Sequence, residues 1–372
     1  MKKLGFGMMR LPLLDPNDVT KVDLDQVCRM ADAFLQAGFT YFDTAYMYHS
    51  HMSEIMFREA VAKRHPRDSY FLTTKMPTMF LKNASDHERI FQEQCEKCGV
   101  TYFDNYLLHN LNTRNYPIAE RLDTFGFGRQ LKAEGRIRHL GFSFHDGPEL
   151  LEKILLAHPE TEFVQLQLNY IDWDNENIQS RKCYEVCEKY HKPVIVMEPI
   201  KGGTLANIVP EAANLFKAQE PDLSVASWAI RFAASQPNVM MVLSGMSNME
   251  QMADNMSYMK DFKPLTAGEM NVIAQVVQMI NASIAIPCTA CGYCVEGCPK
   301  HIPIPKYFAF YNQQKQFDEK SNAKFYYGNY KADAAYGKAV DCIACKQCEK
   351  ACPQHLKISE LMKDVSAIFD AP

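Results

Sequence analysis

Short runs of β-branched and aromatic residues recur through roughly the first 260 positions, each followed by a stretch of helical periodicity, and few folds accept that alternation. Strands are predicted at 3–9, 39–44, 69–75, 103–109, 137–143, 163–169, 193–199 and 239–245. Between the first two, Val27, Ala31, Phe34 and Leu35 fall at helical spacing before a stop at Gly38. Further helical periods lie near 53–64, 85–98, 129–134, 148–157, 177–190, 223–235 and 249–258. Eight strands alternating with eight helices over this length predict an α/β fold, a closed (β/α)8 TIM barrel. The runner-up is a doubly wound open sheet. Its dinucleotide fingerprint is missing, because Gly5-Phe6-Gly7 and Gly126-Phe127-Gly128 both lack the third glycine.

A last helical stretch near 266–283 leads to Ile286-Pro287, after which the composition turns to cysteine, lysine, tyrosine and proline. Two domains are expected, a barrel with its linking helix at 1–283 and a smaller one at 284–372. Of 13 cysteines, eight sit in the last 85 residues, which points to metal or cluster ligation in a reducing compartment rather than to a disulfide framework. Cys288-x2-Cys291-x2-Cys294-x3-Cys298-Pro299 is followed by Cys342-x2-Cys345-x2-Cys348-x3-Cys352-Pro353, the same spacing twice. Short gaps let three thiolates of one loop grip three irons of a cubane, and in two-cluster ferredoxins the fourth cysteine of each run serves the other cluster. The reading is two [4Fe-4S] clusters, one on Cys288, Cys291, Cys294 and Cys352, the other on Cys342, Cys345, Cys348 and Cys298, in a small, mostly helical, ferredoxin-like domain. Zinc needs four ligands per site and gives no reason for the repeated x3 gap and proline. The insert between the runs is rich in aromatics, expected to pack over the clusters or onto the barrel. Cys95/Cys98 and Cys183/Cys187 lie on predicted helices and read as helix-face residues.

Apolar residues make up 47% and charged ones 23%, an ordinary soluble composition. A net charge of −4 offers no general attraction for nucleic acid or an anionic membrane. The charge divides mildly, 29 basic against 35 acidic residues in the barrel and 11 against 9 in the tail. Apolar stretches fall short of the roughly 18 residues of a membrane span, and the first residues lack a long apolar segment, so a cytoplasmic protein is expected.

Reactive groups of such barrels cluster at the C-terminal ends of strands. Asp43, Lys75, His109, Ser143 and Gln167 end otherwise apolar strands here, and Tyr48 follows Asp43 by five residues. Singly, Asp43 and Lys75 read as a structural ion pair, His109 as a satisfied buried histidine and Tyr48 as a surface aromatic. Together, at successive strand ends, they read as a site. At these residues the chain resembles the aldo-keto reductase family: FDTAYMYHSHMSE (42–54), TTK (73–75), YLLH (106–109) and GRIRHLGFS (135–143) follow in its order. With the cysteine-rich tail, it is similar to the iron–sulfur branch of that family. The resemblance implies an oxidoreductase in which Tyr48 is the general acid that protonates a carbonyl oxygen as hydride arrives from a nicotinamide. A Lys75 ammonium within about 4–6 Å would lower the tyrosine by roughly 1–3 units. Asp43 would hold the lysine, and His109 would orient the carbonyl.

The same resemblance implies cofactor contacts from Gly7, Met8, Met9, Asp43, Ser143, Gln167, Met197, Gly245, Met246, Ser247, Gln251, Asp254 and Asn255, while Lys201 and Gly203, after the seventh strand where barrel phosphate sites occur, read either as a pyrophosphate contact or as a glycine-rich loop. Phe144 stands where the family usually has asparagine, and Met197 where an aromatic ring stacks on the nicotinamide. Gly245 and Gln251 replace basic residues that hold a 2′-phosphate, so NADH is not disfavoured against NADPH. Substrates are small carbonyls or alcohols. A hydride carries two electrons and each cluster moves one, so coupling them needs a flavin or a radical-capable substrate, and no flavin motif is present. The alternative is a ferredoxin-linked electron-transfer protein, its clusters exchanging electrons with a ferredoxin or other redox protein, in which the barrel performs no ordinary carbonyl reduction.

Overall fold

The computed structural model describes all residues except 177, 283, 289–291, 318–320, 353 and 372. Eight parallel strands, β1 (Leu4–Gly7), β2 (Tyr41–Asp43), β3 (Phe71–Met76), β4 (Phe103–Leu111), β5 (Ile137–Phe144), β6 (Phe163–Gln167), β7 (Val194–Met197) and β8 (Val239–Ser244), form a closed barrel in chain order. β8 returns to pair with β1. Each strand lies at its expected position, within a few residues at the ends.

Side chains alternate between the two faces of a strand. Tyr41, Leu107, Phe163, Ile195, Met241 and Leu243 meet in the interior. Moving two residues up each strand therefore keeps to the inner face and reaches Asp43, His109, Met197 and Gly245 near the C-terminal ends. Where the lower layer is crowded, glycine is required: a Cβ on Gly141 would stand 2.6 Å from the Phe163 ring and 2.7 Å from its carbonyl oxygen. The alternate residues face outward onto helices. Phe6 and Phe42 pack against Phe34 at ring distances of 5.9 and 5.5 Å. Phe34 belongs to helix Leu24–Gln36, which buries Val27, Met30, Ala31 and Phe34 and is capped by the Asp23 carboxylate accepting from Gln26 N at 3.0 Å. Each such apolar side chain contributes about 1.5–3 kcal/mol on burial.

Two helices have no counterpart in the sequence reading, Tyr116–Arg121 and Pro210–Gln219, and the one expected at 129–134 begins earlier, at Thr124. The chain divides into two compact units. One contains Met1–Pro199 and Ser227–Thr266, hence the whole barrel. The other contains Ile200–Ala226 and Ala267–Pro372, with helix Pro210–Gln219 packed on helix Ala267–Ala282.

The second unit carries an internal repeat that follows the cysteine runs. Gly292 (φ +80°) precedes helix Tyr293–Glu296, and Lys346 (φ +61°) precedes helix Gln347–Lys350. His301 and His355, three residues beyond Cys298 and Cys352, are left-handed at φ +51° and +52°. Their amides donate to the Cys298 and Cys352 carbonyls at 3.0 and 3.1 Å. Each run ends in a longer helix, Ile304–Phe317 and Ile358–Phe369, and corresponding helices of the repeats pack on each other. The aromatic insert packs inside this unit, with Tyr307 and Tyr327 buried at a ring distance of 4.6 Å. Among the described residues no helix is long and apolar enough to cross a membrane.

Candidate functional site

The inner strand ends bring four of the expected side chains together. Lys75 Nζ donates to Asp43 Oδ1 at 2.6 Å and to the Thr44 carbonyl at 2.8 Å, and both members of the ion pair are buried. The Lys75 ammonium stands 5.0 Å from the centre of the Tyr48 ring. The Tyr48 ring meets His109 edge to face at 6.0 Å. Behind the lysine, buried Gln94 fixes the β3 backbone by donating to the Lys75 carbonyl at 3.0 Å. Gln94 also donates to Glu54 Oε1 at 2.8 Å, and Thr74 donates to the same oxygen at 2.7 Å. Burial pushes the Glu54 carboxyl up to about 7, against the pull of those two hydrogen bonds.

Burial disfavours charge on both members of the ion pair. It raises Asp43, opposed by Lys75; at Lys75 burial lowers the ammonium, but Asp43 and Tyr48 together outweigh it and lift Lys75 above its ordinary value. Lys75 thus stays positive. At Tyr48 the expected net lowering by Lys75 is corrected: burial raises the phenol more than the lysine lowers it, so the hydroxyl keeps its proton beyond the ordinary phenol range. Burial, then Lys75, then His145 hold His109 well below its ordinary value, a neutral imidazole whose Nδ1 has no hydrogen-bond partner.

The residues expected to contact a cofactor divide into groups. Gly7 lies in register with Asp43, and Met8 is buried with its amide donating to the Asp43 carbonyl at 2.8 Å, whereas Met9 is exposed. Ser143 Oγ accepts from Asn110 N at 2.7 Å, leaving its hydrogen to donate. Gln167 Nε2 donates to Asp172 at 2.8 Å, leaving the amide oxygen as its acceptor. Met197 is half-buried at the end of β7. Past β8, Gly245 packs on the Arg10 side chain, Met246 is buried, and Ser247 donates to the Arg10 carbonyl at 2.8 Å. Gln251 turns its side-chain oxygen back to the Ser247 amide at 2.7 Å. Asp254 lies on helix Met249–Met259, and Asn255 of that helix is buried and spent on Ser244 and Tyr258. Lys201 and Gly203 belong to the second unit, in left-handed conformations at φ +48° and +99°.

Phe144 faces outward, 6.3 Å from Phe142, so the asparagine position offers no polar group to the mouth. Three side chains at the mouth were not singled out from the sequence. Arg10 and Glu198 approach to 3.7 Å, with Glu198 in a left-handed conformation (φ +55°) after β7. His145 follows β5 on the Ser143 side. Extending the two-residue alternation one step past the strand would have found it; loop partners such as Arg10 and Glu198 leave no local signal.

In the second unit Cys298, Cys342, Cys345 and Cys348 line one cavity of about 380 Å³. Cys288, Cys294 and Cys352 line another of about 310 Å³, while Cys291 lies outside the described residues. Each cavity therefore takes its cysteines from both runs. Ile304 and Ile358, at matching places in the repeats, line both cavities. The Ile302 amide approaches Cys298 Sγ at 3.5 Å. Burial, then Cys342, push the Cys348 thiol up to about 11. Sulfurs crowded in this way need positive charge to ionise together, and the donor set suits a metal–sulfur cluster. Cys98, Cys183 and Cys187 are buried on helices.

Comparison with known proteins adds to this geometry. The profile of the Aldo/keto reductase family matches residues 3–278, and that of the 4Fe-4S dicluster domain matches residues 287–356. The uncharacterized oxidoreductase YqkF of Bacillus subtilis (strain 168) is 24% identical over 285 residues, covering 68% of this chain and 86% of its own. An aldo-keto reductase structure from Bacillus halodurans (holo form) superposes with a TM-score of 0.58 at 22% identity, covering 74% of this chain and 91% of that one. One from Klebsiella pneumoniae, in complex with NADPH, gives 0.57 at 19% identity, covering 74% and 90%.

Proposed function

The chain belongs to the aldo/keto reductase family, an oxidoreductase barrel joined to a 4Fe-4S dicluster domain, and from that premise we propose that the barrel interconverts a carbonyl and an alcohol with a nicotinamide. The observation that carries this reading is the buried Asp43–Lys75 pair, 2.6 Å apart, with its ammonium over Tyr48.

The bound nicotinamide would supply or accept the hydride. Everything else falls to the chain. Tyr48, held protonated by burial, gives its proton to the substrate oxygen, and the adjacent Lys75 stabilises the phenolate left behind. Asp43 keeps Lys75 charged and in place. Neutral His109 donates a hydrogen bond to the same oxygen and orients it. The Ser143 hydroxyl and the Gln167 amide oxygen pair a donor with an acceptor, which matches the two ends of a primary carboxamide. Nothing in this set distinguishes NADH from NADPH by charge.

In the second unit, Cys298, Cys342, Cys345 and Cys348 would hold one [4Fe-4S] cluster, and Cys288, Cys291, Cys294 and Cys352 the other, each able to carry one electron. A second reading, electron exchange with a ferredoxin-like partner, is favoured by one observation: Cys345 and the neighbouring Ile343 are exposed at the first cavity.

The test is turnover of small aldehydes and ketones with NADH and NADPH, by the cluster-replete chain and its Tyr48→Phe variant. The variant is expected to lose about 10²–10⁴-fold with its cluster absorbance intact. Full turnover in Tyr48→Phe would end the tyrosine assignment. Bleaching of the clusters by NADH alone would favour electron exchange.

A further inference from the structure

The end of β5 carries a side chain for which reduction of a simple carbonyl has no use. Phe142 and Phe144 turn outward, Phe142 lying 6.5 Å from Phe125 of helix Thr124–Ala133. Ser143 therefore faces the interior, and the next residue of the same parity is His145. Its backbone is anchored, His145 N donating to the Leu111 carbonyl at 3.0 Å.

The neighbouring strand is deformed at the same level. The β4–β5 register shifts between Leu108 and Leu111, and Asn110 is left-handed at φ +61°. Bulges of this kind re-aim side chains beside active sites, and strain in a non-glycine residue persists where the surroundings enforce it. Here Asn110 N donates to Ser143 Oγ at 2.7 Å, tying the deformed step of β4, just after His109, to β5. The bulge thus brings the end of β4, which carries His109, against the end of β5, where His145 is the first residue past the strand.

The two imidazoles differ in access. His109 is buried, whereas His145 is exposed to solvent although protein crowds it. Both are kept neutral: burial, then the Lys75 charge, bring His145 down to about 4. A neutral imidazole offers one donor and one acceptor, the complement of a hydroxyl group. A carboxylate or phosphate would call for a cation, and Arg10 at the mouth is paired with Glu198 at 3.7 Å.

We propose that His145 binds a second, uncharged oxygen of the substrate, on the carbon next to the reacting carbonyl, so that the barrel selects α-hydroxy carbonyl compounds and the vicinal diols they form on reduction. This rests on the carbonyl–alcohol reading above. Tyr48 and His109 take the reacting oxygen, and His145 takes its neighbour.

The experiment compares glycolaldehyde with acetaldehyde, and hydroxyacetone with acetone, in the wild-type chain, His145→Ala and His145→Gln. The preference for the hydroxylated member, as a ratio of kcat/KM, is expected to fall about three- to ten-fold in His145→Ala, the worth of one neutral hydrogen bond, chiefly through KM. His145→Gln, which keeps a donor and an acceptor, should restore part of it. An unchanged ratio, or an equal loss on both members of each pair, overturns the proposal. Should the wild-type chain reduce none of the four, the carbonyl reading fails, and the inference is decided by binding. The His145 ring resonances, assigned by their absence in His145→Ala, should then move with hydroxyacetone and not with acetone; no movement overturns it.

Discussion

At the barrel mouth charge is balanced within the protein, Lys75 lying 2.6 Å from Asp43 with both side chains closed off from water. In the cysteine-rich unit several thiols line each cavity, with Lys300 and Lys346 beside those of the first, and burial pushes the Cys348 thiol up to about 11. The first site is complete as folded. At the second, the proposed clusters would supply the positive charge that crowded thiolates need, as at ligand sites coupled to folding. The contrast extends to how each site is assembled. The barrel draws one residue from each of several strands, Asp43, Lys75, His109 and Ser143 standing 32, 34 and 34 residues apart. The tail draws three cysteines from one short loop and a fourth from the other run.

The largest effect that would break this comparison is in the tail. Cys345→Ala should lose one of the two clusters, lowering bound iron from about eight to about four atoms per chain, with the unfolding transition of the barrel unmoved. Iron analysis and calorimetry check this, and a barrel that melts earlier would show that its completeness depends on metal. Next, Lys75→Met leaves Asp43 buried without a partner and should destabilise the barrel by about 3–5 kcal/mol in denaturant unfolding. Adding Asp43→Asn should recover much of that stability and none of the activity. Third comes Glu54, whose folded value near 7 lies above its ordinary 4.5. Between those values the unfolded chain has released a proton that the folded one retains, so stability falls as pH rises from about 4.5 to 7, by up to about 3 kcal/mol. Glu54→Gln should flatten that slope in melting curves. The smallest effect is Asp23→Ala, which removes the cap of helix Leu24–Gln36 and should cost about 1 kcal/mol in denaturant unfolding.

Much of both sites was legible because each repeats a simple period. Strand ends recur with the βα unit, and inward-facing residues alternate, so Asp43, Lys75 and His109 could be read as neighbours without coordinates. The predicted strand stopped at Ser143, one residue short of the end of β5 at Phe144, and His145 just beyond was passed over. Helix Thr124–Ala133 was read as starting late because Gly126 and Gly128 weaken its propensity. Gly128 is there for contact: a Cβ would stand 2.6 Å from Leu140. The grouping of Ile200–Ala226 with the tail rests on packing between Pro210–Gln219 and Ala267–Ala282, and no local pattern announces a partner so far along the chain. The direction at Tyr48 was missed for a related reason. The neighbouring lysine can be read from spacing, but how deeply the ring is enclosed cannot.

The crossed cysteine cavities bear on the timing of synthesis. Cys288 and Cys294 share a cavity with Cys352, near the end of the chain. A ribosome that has made Cys298 still has 54 residues to add before Cys352 exists, roughly 3–10 s at ordinary elongation rates. Through that interval the barrel strands are already complete and free to close, whereas neither cavity has all its sulfurs: the first run lacks its last partner and the second is still being made. On the proposed assignment, the cluster of the first run cannot be completed before Cys352 has been made, nor the other before Cys348.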